Sequence, residues 1–152
     1  MSGEGGLFAR QEAQDLLGAE VARYIPSGSA AVVIEISALA PVSSFLFWSE
    51  ARDGSRESIP MDMDFDTALI ARLRQAMYRS GAGTWFSAVV RVDRSGVVDG
   101  HFDYDSEPDW DAPVDPIAYL TDAEKYPRDV ENQPDWLRAK LAEGYGRRAA
   151  RS

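Results

Sequence analysis

The chain has 152 residues, 45% of them hydrophobic and 27% charged, with a formal net charge of −9 and a pI of about 4.6. That is the length of one domain with room for a buried core, and the sign of the charge argues against the nucleic-acid backbone and anionic lipid as partners. With no cysteine and a single histidine, His101, disulfides and thiolate chemistry are excluded, and a zinc site would need nearly all its ligands from carboxylates, which is uncommon.

Residues 1–6 are Gly-rich and expected to fray. A helical period covers 7–24, with Phe8, Leu16, Leu17, Val21 and Tyr24 on one side, and Pro26, Ser27 and Gly28 end it. Residues 30–39 alternate as a strand, Val32, Ile34 and Ile36 against Val33, Glu35 and Ser37. After a turn at Pro41 and Val42, residues 45–49 form a second strand paired as a hairpin. Residues 57–61 add a short edge strand near Pro60. Asp62, Asp64 and Asp66 place carboxylates at the positive end of a helix dipole. That helix runs over 65–78 with a Leu69, Leu73 and Met77 stripe, its Arg72, Arg74 and Arg79 facing solvent or the C-terminal dipole, and Gly81 and Gly83 close it.

Residues 84–92 read as a strand, with Phe86, Ala88, Val90 and Val92 on one face and Trp85, Ser87, Val89 and Arg91 on the other. Asp93-Arg94-Ser95-Gly96 is a hairpin turn, and 97–104 return with Val98, Gly100, Phe102 and Tyr104 toward the core. Helices are expected from Pro116 to about Lys125 and over 135–143, the latter opened by Pro134, before a mobile tail at 144–152. The fold class is therefore a single α+β domain: an antiparallel sheet of four or five strands packed by an N-terminal and a central helix, with short C-terminal helices. The opening segment lacks a basic stretch followed by an apolar run, and no apolar run approaches the roughly 20 residues that span a bilayer. A cytoplasmic protein without membrane contact is expected.

Between residues 99 and 115 lie seven carboxylates, Asp99, Asp103, Asp105, Glu107, Asp109, Asp111 and Asp115, with no Lys or Arg among them. Tyr104 and Trp110 sit inside the run, and Tyr119, Tyr126 and Trp136 follow it. A solubilising acidic tail is poor in aromatics, so this segment is expected to be held in shape, with Trp110 either docking the loop or contacting a partner. The alternating acids from Asp103 to Asp111 resemble a calcium loop, but the sixth position is Pro108 instead of Gly and the twelfth is Val114 instead of Glu. No metal site is expected, and no cofactor. His101 lies between Asp99 and Asp103 at spacing two, an arrangement that suits a general base. No nucleophile motif accompanies it, so no catalytic residue is assigned. The surface reading is of Asp99, Asp103, Asp105, Glu107, Asp109, Trp110, Asp111 and Asp115 meeting a basic partner. The alternatives are a general acidic interaction module, or a small enzyme using His101 with Asp99 or Asp103.

Gly83-Thr84-Trp85, then Phe102-Asp103-Tyr104-Asp105 and Glu107-Pro108-x-Trp110, resemble the YezG-like immunity (antitoxin) family of bacterial polymorphic toxin systems. The run Tyr119-Leu120-x-Asp122-x-Glu124-x-Tyr126-Pro127-Arg128, followed by Pro134-x-Trp136-Leu137, is similar to the C-terminal half of its actinobacterial members. The resemblance covers about residues 83–141. It implies an α+β protein that binds and neutralises a cognate toxin, often a nuclease, without catalysis of its own.

Overall fold

The computed structural model describes residues 2–60 and 64–151, with side chains from residue 6 onward. Within them lie α1 (Ser2–Ala22), β1 (Ala31–Leu39), β2 (Val42–Glu50), β3 (Arg56–Ile59), α2 (Ala68–Ala76), β4 (Ser87–Asp93), β5 (Val98–Asp103), α3 (Ile117–Lys125), a 3-10 turn (Val130–Asn132) and α4 (Asp135–Arg151). The strands form one antiparallel sheet in the order β3-β2-β1-β4-β5. Asp62 and Met61, read as helix start and strand end, lie outside the described residues.

The sheet forms because its strands alternate. Val32, Ile34, Ile36 and Ala38 of β1, Phe47 of β2 and Ala88, Val90 and Val92 of β4 share one face, which α1 and α2 cover. α1 presents Ala13, Leu17 and Val21 to that face, a spacing-four stripe that is fully buried. Phe8, at 79% exposure, and Leu16 were expected in the same stripe but lie outside it. At 100° per residue Phe8 stands about 140° from Ala13. α1 also begins at Ser2, earlier than the expected fraying allows, and α4 continues through the expected mobile tail to Arg151. Gly144 lets α4 lie against α3: a Cβ there would stand 2.7 Å from the Pro116 carbonyl oxygen.

Two further expectations are corrected. Trp85 and Phe86 exchange places, Trp85 entering the main core and Phe86 a second cluster with Leu39, Tyr119 and Leu137. The chain bends at Phe86, one residue before β4 starts, so the period-two pattern does not extend back to it. Arg74 is buried, although the helix stripe assigned it to solvent or the dipole. It pairs with Asp122 of α3, and Asp122 Oδ1 also accepts the Ala40 backbone N–H at 2.7 Å. This pair and the second cluster fasten α3 and α4 to one end of the sheet, which leaves most of the face opposite α1 and α2 open.

Candidate partner-binding surface

The acidic segment leaves β5 at that fastened end. Asp103 Oδ1 accepts the backbone N–H groups of Asp105, at 3.0 Å, and Ser106, at 2.9 Å. The bonds from Ser106 and then Asp105 hold the Asp103 carboxyl below its ordinary pKa. They also turn the chain sharply off the sheet. Arg128 grips the turn from within. Its buried side chain donates to the carbonyl oxygens of Tyr104, Thr84 and Asn132, lies over the Phe86 ring, and comes within 3.5 Å of Asp105. Burial pulls the Arg128 pKa down, and Asp105 opposes that shift. Gly83 makes room for this arginine: its φ is +81°, and a Cβ would stand 2.3 Å from the Arg128 Nε.

Two tryptophans hold the chain beyond the turn. Trp136 donates its Nε1–H to the Asp105 carbonyl at 2.7 Å and packs edge-on to Phe86 and Tyr119. Trp110 is half-buried against the second cluster and donates to the Tyr119 hydroxyl at 3.1 Å. Of the two roles the sequence leaves open for Trp110, the geometry displays the anchor. Pro108 is buried beside it.

The seven acids therefore do not form one patch. Asp115 accepts the Ile117 N–H at the start of α3 and lies 2.9 Å from Arg151 and 4.0 Å from Arg147, so the end of α4 neutralises it. Asp103 and Asp105 serve the turn. Asp99 projects from the open face of β5, with the His101 ring 3.8 Å away and Arg91 opposite in register. Glu107, Asp109 and Asp111 are exposed, and among the described residues none forms an ion pair. Asp109 and Asp111 overhang the open face, where with Glu35, Ser37, Ser44 and Leu46 they line a depression of about 240 Å³.

On that face apolar and charged groups are intermixed. Arg91 reaches across β1 to bond Glu50 of β2 at 2.8 and 2.6 Å, which lowers the Glu50 pKa and raises that of Arg91. Val33, between Arg91 and Trp48 in register, is wholly buried under this bridge. Leu46 and Val89 remain exposed beside it. Around the end of β5 a larger groove, about 880 Å³, is lined by His101, Asp103, Tyr104 and Asp105 on one side and by Glu131 and Gln133 on the other. Arg79 also lines it, stacked 4.7 Å over the Tyr104 ring. Ser87 and His101 both border this groove without a hydrogen bond between them, and the His101 side chain is 80% exposed.

No family model matches the chain, and the curated proteins include no significant match. Among the described residues no His, Asp and Glu side chains gather as three potential metal ligands, and no helix is long and apolar enough to cross a membrane.

Glu35 and Glu131 escape a reading of the sequence because each lies on another element, away from the acidic run, and is brought to it by folding. Asp122 did carry a signal. It is a lone acid among Tyr119, Leu120, Ala123 and Tyr126, on the side of a helix that has to be buried.

Proposed function

We propose that this chain is an immunity protein of the YezG-like kind, acting in the cytoplasm without catalysis of its own. It binds a cognate toxin whose surface is basic, a nuclease being the class that fits best, and neutralises it stoichiometrically. A nuclease is basic where it holds phosphate, and a rigid acidic surface is complementary to that groove. The observation that carries the reading is the loop of Glu107, Asp109 and Asp111. Among the described residues these acids have no ion partner, yet the loop that bears them is tied down by Trp110, Pro108 and, through Asp105, by Arg128 and Trp136. Acids needed for solubility alone require no such anchoring. Fixed complementary charge raises the association rate, to about 10⁸ M⁻¹s⁻¹ or above at low salt, which suits an inhibitor that has to reach its toxin before the toxin acts.

The test first asks whether an adjacent reading frame encodes a protein ending in a basic domain. It takes that domain as partner and measures association by stopped flow across a salt series. An adjacent frame with no such domain would count against the reading. Glu107→Gln, Asp109→Asn and Asp111→Asn together should slow association about tenfold or more at low salt and flatten its salt dependence. Asp105 is left intact because it faces Arg128. Wild-type kinetics in the triple variant at low salt would reduce the loop to a solvated face and place the binding surface elsewhere.

A further inference from the structure

The sheet has two edges. One is β3, four residues long and exposed; the other is β5, which among the described residues pairs with β4 on one side only. An unpaired edge displays a row of backbone donors and acceptors, and proteins usually guard such an edge with prolines, bulges or a covering loop. β5 has no proline and no bulge over 98–103; its guard is the charge of Asp99 and Asp103, which repels a second copy of this chain but not a basic strand. The loop after it folds away across the open face, and the groove of about 880 Å³ lies around the end of the strand.

We infer that the free edge of β5 is a strand-pairing site for an extended, basic segment of a partner protein. The side chains on the strand select the occupant. Asp99, His101 and Asp103 project to the open face and are exposed, whereas Val98, Gly100 and Phe102 are half-buried toward the covered face. An added strand would continue that alternation. Cations at every second residue would stand opposite Asp99 and Asp103, where opposite charges across a strand pair are favourable. Its intervening apolar residues would meet Phe102, whose ring lies back over Gly100 and leaves that side of the edge low and apolar. Past Asp103 the segment would enter the groove between Tyr104 and Glu131. A second copy of this chain is a poorer occupant, since each copy carries a net charge of −9.

The inference rests on the reading of this chain as the binder of a basic partner, and it adds where and in what conformation the partner is held. Its test needs no toxin. The probes are two blocked eight-residue peptides, one alternating lysine with valine and one alternating glutamate with valine. The whole protein should bind the lysine peptide saturably, with slowed amide exchange confined to residues 98–103. It should ignore the glutamate peptide. Asp99→Lys with Glu131→Lys changes two exposed side chains, so the fold should survive. It should weaken the lysine peptide about tenfold and admit the glutamate peptide. The idea falls if the lysine peptide does not bind, if both peptides bind wild-type protein equally, or if binding leaves β5 exchange unchanged. Protection of β5 by self-association without peptide would also overturn it. In each of these cases slowed association of the loop triple variant would still uphold the immunity reading, so the two failures are distinguishable.

Discussion

Replacing Asp122 by Leu isolates the junction on which the acidic segment depends. Asp122 and Arg74 are 7% and 2% exposed, and the carboxylate takes three donors: Arg74 Nη1 at 2.6 Å, Arg74 Nη2 at 3.2 Å and the Ala40 backbone N–H at 2.7 Å. Leu branches at the same carbon but is bulkier than Asp, so some packing cost adds to the electrostatic one, and the double variant with Arg74→Met separates the two. The Arg74 charge stays buried, keeping its Nε–H bond to the Trp85 carbonyl at 2.8 Å and its stacking against Trp85 and Tyr126. Breaking a buried pair from one side costs about 3–5 kcal/mol, a large share of a total stability of about 5–15 kcal/mol. At about 2–4 °C per kcal/mol for a chain of this size, the melting temperature should fall by roughly 6–20 °C. Urea denaturation followed by tryptophan fluorescence, with a thermal melt by circular dichroism, measures both quantities. Arg74→Met added to Asp122→Leu removes the stranded charge and should restore most of the loss. A single variant that loses under about 1 kcal/mol, or a double variant no more stable than the single, would refute the account of an uncompensated charge.

Trp110→Ala should lower stability by about 2 kcal/mol, the cost of removing a half-buried indole and its bond to Tyr119. If Trp110 were instead a bare partner contact, the melt would be unchanged and only dissociation of the partner would speed up. The pH dependence has a defined sign. Glu50 is held low chiefly by the Arg91 hydrogen bond, Asp103 by the Ser106 and Asp105 amides, and Asp115 by the Ile117 amide. Their contribution to stability is complete above the unfolded carboxylate range and is lost as pH falls through their lowered folded values. Urea midpoints should therefore hold from pH 7 to about 5 and drop below about pH 4, and a midpoint rising through that lower window would contradict the assignment.

Much of the architecture is written locally in the chain. Period-two alternation in β1, β4 and β5, Gly at the β4–β5 turn, and Pro ahead of α3 and α4 are properties of neighbouring residues. They set the α+β class and which side of β5 turns outward. The aromatics among the acids likewise state that the segment docks instead of floating. What the sequence could not determine is which charges meet. A run of seven acids without a base reads as one negative patch, but folding brings Arg128 to Asp105, Arg151 to Asp115 and Arg91 beside Asp99, while it adds Glu35 and Glu131 from elsewhere. Arg74 shows the same limit: its place on α2 suggests solvent, and only Asp122, 48 residues on, makes its burial tolerable. Hydrophobic periodicity acts within a few residues and can be read along the chain. Coulomb and hydrogen-bond partners are chosen by distance in space, so only the packing of α3 and α4 against the end of the sheet decides which carboxylates remain for a partner.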